Sequence, residues 1–330
     1  DLHLLSRRQR QMCIRDRTVC HPLLITARSE GSLMKKEKRS SRLSLKQNYF
    51  FYLMILPTLL YLLIFQIYPI IETVRISFTN WLLTDQSSGG YVGFANYTRL
   101  FTQDSNFWTL FRNSVFWVLG STVLQYFFAI PISVLLNQKM RARGLWRGLM
   151  MVPWVTPMVI AGLIWRWMFE GNYGLFNQLL GTDIVWLADS STVWICLLIV
   201  STWKGIPYAT LMFLAGLQGI PGDLYEAAYV DGAGPFRRFW HITLPLLSPV
   251  IMVTALTSMV ATWTKFETIW TMTSGGPGYT TSILPVYIYM KAFRSFEMGV
   301  GSAVAVVAML VMTIFIIIYL KFYRKYTERL

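Results

Sequence analysis

Long apolar runs alternate with short polar intervals along the chain from residue 49 onward. Crossing about 30 Å of hydrocarbon takes roughly 20 apolar residues in helical form. Stretches at about 49–71, 109–137, 145–169, 192–217, 242–264 and 299–321 reach that length. The first reads YFFYLMILPTLLYLLIFQIYPII and the last GVGSAVAVVAMLVMTIFIIIYLK. Proline falls within or beside several of them, at Pro57, Pro131, Pro153, Pro157, Pro207, Pro245 and Pro249. In a membrane helix proline is tolerated when neighbours satisfy the backbone groups it frees. The pattern predicts an all-α, polytopic integral membrane protein with about six transmembrane helices, kinked and packed around a path.

The polar intervals set the expected orientation, because cytoplasmic loops carry the excess of Lys and Arg. The segment before the first span holds Lys35, Lys36, Lys38, Arg39, Arg42 and Lys46, and the loop after the second holds Lys139, Arg141, Arg143 and Arg147. Arg237 and Arg238 follow the fourth span, and Lys321, Arg324, Lys325 and Arg329 follow the last. The opposite loops are poorer, with Arg75 and Arg99 in the first, none between 170 and 191, and Lys265, Lys291 and Arg294 in the third. Both termini are expected in the cytoplasm, with 72–108, 170–191 and 265–298 outside. Composition agrees: 54% of residues are hydrophobic, only 14% are charged, and mean hydropathy is +0.44. A soluble domain carries about 25% charged residues.

The net charge of +14 would suggest nucleic acid in a soluble protein. Here residues 1–48 hold twelve Lys and Arg against four acids, so this one short stretch supplies much of the excess. Residues 1–33 differ in character from the rest of the chain and lack an apolar core long enough for a signal peptide. RRQRQMCIRDR resembles translated sequencing-adapter DNA, and Met34 is a natural start. Residues 1–33 are therefore read as an artefact of gene calling, against the alternative of a basic disordered tail. The remainder divides into a basic cytoplasmic segment at 34–48, one membrane domain at 49–322 and a cytoplasmic tail at 323–330. Cys13, Cys20 and Cys196 have no metal spacing, and His21 finds no further cluster to complete a zinc site.

The loop between the fourth and fifth spans reads GIPGDLYEAAYVDGAGPFRRFWHITLPLLSP, residues 219–249. Pro221-Gly222 ends the preceding helix, and Asp223 with Glu226 makes a capping-box pattern. Leu224 to Val230 form a short helix, whose Ala227 and Ala228 leave one side smooth. Gly232 and Gly234 stop it, where a left-handed turn is easiest. A second short amphipathic piece, Phe236 to Ile242, leads to the next span. The whole suits a small helix lying across the inner membrane face and pressing into a groove of a partner.

These residues resemble, position for position, the EAA loop of bacterial binding-protein-dependent ABC importer permeases. The family pattern of EAA, three residues, Gly, a spacer and I-x-L-P is met by Glu226, Ala227, Ala228, Gly232, Ile242, Leu244 and Pro245, with Asp223 and Asp231 in the same segment. The likeness runs over roughly 45–325 and includes LAGLQGIP at 214–221 and TSGGPGYTTSILPVYIYMKAF at 273–293. The latter looks like the first permease of sugar importers of the maltose and glycerol-phosphate type. The resemblance implies a type-I ABC importer permease fold in a bacterial cytoplasmic (inner) membrane. It implies a second, different permease subunit, two cytosolic ATPase subunits docked on the EAA loop, and an extracytoplasmic solute-binding protein. Membrane lipids surround the chain, and no nucleic acid is implied. The implied solute is a carbohydrate, with a polyol or a sugar phosphate as alternatives.

The sequence also excludes chemistry. No Gly-Lys dipeptide occurs, so the phosphate-binding GxxxxGK[ST] loop is absent. No HExxH and no Ser-His-Asp or Cys-His arrangement can be built from His3, His21 and His241. The chain is read as non-catalytic, with no cofactor of its own; ATP and Mg are expected on the partner ATPase. An ion-coupled carrier is the rival reading, but it needs paired intramembrane acids or broken helices in a repeat, and the spans lack a convincing buried acid.

Lys204 lies mid-span, where a charge costs about 2.5–3.5 kcal/mol and so faces the bundle interior or a wet cavity. It is either a solute contact or a structural lysine paired with a carbonyl or an acid. Trp203 and Trp263 are the deeper of several tryptophans and the aromatic candidates for the solute path. Trp165, Trp167 and Trp270 fit the interfacial belt. Lys265 and Glu267 are either gate residues or a solvated ion pair. Gly275, Gly276 and Pro277 form a turn, either plain or at the outer mouth. GGYVGFANYTRLF at 89–101 resembles a family segment of pattern G-x-x-N-Y, to which the sequence assigns no role.

Overall fold

The structure, a computed structural model, describes residues 49–85 and 87–328. The expectations for 1–33 and 34–48 lie outside the described residues. The chain divides into two units, 1–69 and 70–330; of the first, residues 49–69 are described and are helical.

Among the described residues five helices are long and apolar enough to span a membrane, and one bent pair passes the same test only when its two halves are taken together. They are α1 (Tyr49–Ser77), α2 (Phe107–Asn137), the pair α3 (Arg143–Val155) and α4 (Met158–Met168), and α5 (Val193–Gln218). After the short α6 (Gly222–Val230) come α7 (Pro235–Trp263), α8 (Glu267–Thr273), α9 (Leu284–Tyr289) and α10 (Met298–Thr327). The described residues form no strand, only isolated bridges.

The third predicted span, 145–169, is not one kinked helix. α3 and α4 meet at 91°. A residue before proline is pushed out of the α region, and Thr156 is extended (φ −63°, ψ 126°), as is Pro157 (ψ 138°). Pro131, Pro207 and Pro249 instead remain inside α2, α5 and α7. The fifth span begins earlier than its apolar run suggests: the predicted separate piece Phe236–Ile242 is its first turns, continuous through a π-helical turn at Phe239–Thr243.

Within the second unit, α2 and α5 form the central pair, with α7 packed on both, α3 on α5, α8 on α4, and α9 on α10. Small residues permit close approach, as in other membrane helix pairs. A Cβ at Gly205 of α5 would sit 2.2 Å from the Gln125 side chain of α2, and one at Gly216 would sit 2.8 Å from Leu247 of α7. Tyr126, Ala209, Phe213 and Leu247 are buried together where α2, α5 and α7 meet. A second cluster around Trp117, Leu197, Val200 and Ile269 joins α2, α5 and α8.

The 89–101 segment has a clear structural use. Asn96 is buried and donates to the carbonyls of Ser77 and Thr79, each at 2.8 Å, while the Tyr97 hydroxyl lies 2.6 Å from Ser77 Oγ. The Thr79 carbonyl also lies against Gly299 at the start of α10, whose N–H donates to the Trp81 carbonyl at 3.1 Å. Beside this knot Glu297 pairs with both Lys291 (3.1 Å) and Arg99 (3.3 Å). Two of the cations that blur the loop-charge count are thus matched by one carboxylate.

A Cβ on Gly299 would fall 2.1 Å from the Thr79 oxygen, whereas one on Gly148 meets nothing within 4 Å. Gly299→Ala is expected to destabilise the detergent-solubilised protein by about 1–3 kcal/mol, the range for overpacking. Gly148→Ala, in a helix interior, should be neutral or slightly stabilising. Thermal unfolding followed by tryptophan fluorescence compares the two.

Candidate functional site

The bent pair, α5 and α7 border an open-sided cavity of about 460 Å³, within the 300–1,000 Å³ range of small-molecule sites. α5 contributes Lys204, Gly205 and Tyr208, one face at i, i+1 and i+4. α7 contributes Thr257, Ser258, Ala261 and Thr262, and the same helical spacing carries on past its end to Lys265. Gln125 comes from α2, Trp154 from α3, Met158 from α4, and Glu267 opens α8. Tyr208 and Thr257 lie 3.2 Å apart, hydroxyl to hydroxyl, and Tyr126 donates to Ser258 Oγ at 3.3 Å, so the α7 hydroxyls are held in place.

Lys204 decides the geometry of the wall. Its ammonium donates to the carbonyls of Pro153 (2.9 Å), Trp154 (3.1 Å) and Thr156. Pro153 and Trp154 lie in the last turn of α3 and Thr156 just beyond it, where carbonyls have no acceptor role left once the helix ends. A cation at a helix C-terminus is also favoured by the helix dipole. The structural reading of Lys204, pairing with carbonyls, is therefore realised, and the residue borders the cavity as well. By holding the Trp154 carbonyl it fixes the backbone of a residue that borders the cavity.

Of the two aromatic candidates, neither lines this cavity. Trp203 is partly buried and meets Trp165 edge-on, ring centres 5.6 Å apart. Trp263 is 8% exposed and packs with Leu110, Leu284, Tyr287 and Val304. Trp154 takes the position the sequence reading gave to them. The signal for the wall was present as polar residues within apolar runs: Gln125 in the second span, and Ser258, Thr262 and Lys265 at i, i+4 and i+7 along the fifth. What the pattern lacked was which polar faces converge.

Lys265 and Glu267 do not form the expected solvated ion pair: among the described residues no acid comes within 4.0 Å of the Lys265 ammonium. Partial burial holds the Lys265 pKa below the usual lysine range, with the Lys204 ammonium adding to the depression and Glu267 acting against it.

The 219–249 loop places its residues outward. α6 presents Asp223, Glu226 and Ala227, with Asp223 and Ala227 exposed and Glu226 and Ala228 on the same short helix. No side-chain cap forms, and Asp223 sits in the first turn rather than at the N-cap, which is Pro221. The capping-box expectation fails because Gly222 already starts the helix, two residues before Leu224. Asp231 and Gly232 follow, exposed, and Gly232 takes the left-handed turn (φ +74°). Gly234 does not; it is extended and precedes Pro235, the first residue of α7. The Tyr225 hydroxyl lies 3.0 Å from Thr243 Oγ1, and the Arg238 guanidinium stands over the Tyr229 ring at 5.8 Å, fastening α6 to the base of α7. Ile242, Leu244 and Pro245 lie partly buried in that base.

The segment Gly275–Pro277 is more than a plain turn. Gly275 takes a positive φ (+86°), and Thr281 Oγ1 donates to the Gly276 carbonyl at 2.7 Å. Asn113 of α2 donates to the carbonyls of Tyr279 (3.3 Å), Thr280 (2.9 Å) and Ser282 (3.0 Å), binding the loop to the bundle.

Residues 126–329 match the family described as binding-protein-dependent transport system inner membrane component. The trehalose/maltose transport system permease protein MalF of Thermococcus litoralis is 34% identical over 286 residues, covering 86% of this chain and 96% of that protein. The sulfoquinovosyl glycerol transport system permease protein SmoG of Agrobacterium fabrum is 34% identical over 276 residues, covering 82% and 89%. Among solved structures, a chain of a bacterial ABC transporter involved in import of the acidic polysaccharide alginate superposes with a TM-score of 0.74 over 86% of this chain and 97% of that one. At 22% identity that likeness speaks for the fold.

Lys204→Met should leave these carbonyls without their donor and cost about 1–2 kcal/mol, since the bonds are charge-assisted but only part-buried or exposed. Lys204→Arg should retain most of that stability. Chemical denaturation in detergent measures both; unchanged stability in the methionine variant would show that the carbonyl contacts do not hold the bend.

Proposed function

Since the chain belongs to the family of binding-protein-dependent transport system inner membrane components, we propose that it is the solute-conducting permease subunit of an ATP-driven carbohydrate importer. The observation that carries this reading is one chain of contacts from the loop to the cavity. α6 offers an outward Glu226-Ala227 surface, is tied through Tyr225 and Thr243 to the base of α7, and α7 runs on to place Thr257, Ser258 and Thr262 in the cavity. A helix rises about 1.5 Å per residue, so α7 covers the distance from the loop to the cavity wall as one continuous element. ATP is hydrolysed by two cytosolic ATPase subunits that grip α6. A second permease completes the path and an extracytoplasmic binding protein delivers the solute.

The carbohydrate class is supported by the transport systems that the relatives are named for, trehalose or maltose in one and sulfoquinovosyl glycerol in another. The cavity chemistry suits it: hydroxyls and an amide to meet sugar hydroxyls, and a tryptophan at its border. The chain lies in a bacterial cytoplasmic membrane with both termini inside, following the loop charges. An ion-coupled carrier would leave the outward α6 surface without a use.

The test is solute-stimulated ATP hydrolysis by the assembled complex in proteoliposomes, with binding protein and a panel of sugars. Losing a docking hot spot of about 2 kcal/mol weakens engagement roughly thirtyfold. Glu226→Lys and Gly232→Asp should each reduce stimulation by about that factor while the permease still inserts. Stimulation unaffected by both changes would remove the coupling role of this loop.

A further inference from the structure

Two lysines face the cavity, but their circumstances differ. Lys204 has its ammonium hydrogens committed to three backbone carbonyls of the bent span. The Lys265 ammonium shows no hydrogen bond and no ion pair among the described residues, although the residue is partly buried and borders the same space. Glu267 is the sole acid on the wall and is exposed. The wall therefore carries two cations against one carboxylate, with one cation lacking a fixed partner.

This imbalance has a physical consequence. A partly buried ammonium has given up hydration, and a second ammonium nearby raises its energy further. A low-dielectric pocket concentrates that field on whatever enters. A neutral sugar cannot compensate it, because hydroxyl dipoles oppose the charge only weakly. An anion held against Lys265 compensates both ammonium groups at once and forms the stronger, charge-assisted kind of hydrogen bond.

We propose that Lys265 recognises an anionic substituent on the solute, so that the preferred cargo is an acidic carbohydrate carrying a carboxylate, sulfonate or phosphate ester. The inference rests on the proposed importer function and names the substrate class of the same cavity. The sugar body lies along the Trp154 indole with its hydroxyls toward Gln125 and Thr257, and the anionic group points to Lys265. Lys204 contributes its field but not a direct contact.

The experiment uses the assembled complex without its binding protein, which would otherwise select the solute first. Equilibrium binding is measured by titration calorimetry in nanodiscs for matched neutral and acidic sugars: glucose against glucuronate, glucose 6-phosphate and 6-deoxy-6-sulfoglucose, and maltose against its uronic acid. The native complex is expected to bind the acidic member of at least one pair about tenfold more tightly, an increment of about 1.4 kcal/mol. Lys265→Gln should abolish that preference without weakening the neutral member, and Lys265→Arg should keep it. Equal affinity for neutral and acidic members in the native complex overturns the proposal and leaves the importer reading standing. So does a preference that survives in Lys265→Gln. Absence of binding by every sugar, neutral or acidic, overturns the carbohydrate reading and this proposal together. The native comparison needs no variant, so a poorly folding substitution does not shield the idea.

Discussion

Within hydrocarbon every backbone N–H and C=O must find its partner in the protein, because no water is there to supply one. That requirement bears hardest on the bent third span. At Thr156-Pro157 the helix stops and turns through 91°, and its last carbonyls face inward. One ammonium, on Lys204 of the neighbouring span, meets three of them. The bend creates the room for the cavity, and the lysine makes the bend tolerable inside a membrane. A charge that would be costly alone at that depth is compensated by groups that would be costly without it.

The same logic orders the rest of the bundle. Glycine and small residues bring α2, α5 and α7 close, and polar side chains between them bond to helix carbonyls and to one another. α7 is therefore fixed against two helices along its length while remaining continuous with the loop at its base. Rigid segments with defined contacts are what hinge and shear motions require, since packed interfaces switch between arrangements and do not stretch. α6, lightly held through Tyr225 and Tyr229 and otherwise largely exposed, is the natural place for an external force to enter.

On the side that the loop charges assign to the exterior, the loops are closed by side-chain to backbone hydrogen bonds. Asn96 secures the end of α1 and Asn113 secures the 279–282 segment, each by offering amide hydrogens to several carbonyls. Buried loop carbonyls need such donors, and an asparagine amide supplies two hydrogens from one short side chain. Together with the Glu297 ion pairs, these contacts tie the loops on that side to the helices they join.

The placement of the long apolar segments followed from the sequence alone, because a hydrocarbon slab imposes a length and a polarity on each segment independently of its neighbours; that the third is broken at 91° did not. The loop at 219–249 was legible for a similar reason: its turn at Gly232 and its outward Glu226-Ala227 surface depend on local chemistry. Local rules misjudged the start of α6 by two residues and divided α7 in two, since caps and helix starts are set by small differences that packing outweighs. The assignments within the cavity were beyond the sequence. Trp263 and Trp154 are both tryptophans near polar residues, yet one is sealed in a core and the other faces the cavity. Lys204 could serve a solute or a carbonyl equally well on paper; only the fold brings the broken end of α3, 50 residues away in sequence, within reach of its ammonium. Composition and periodicity fix which face of a helix is polar. Which polar faces meet is a question of distance between segments remote in the chain, and that is settled by tertiary packing.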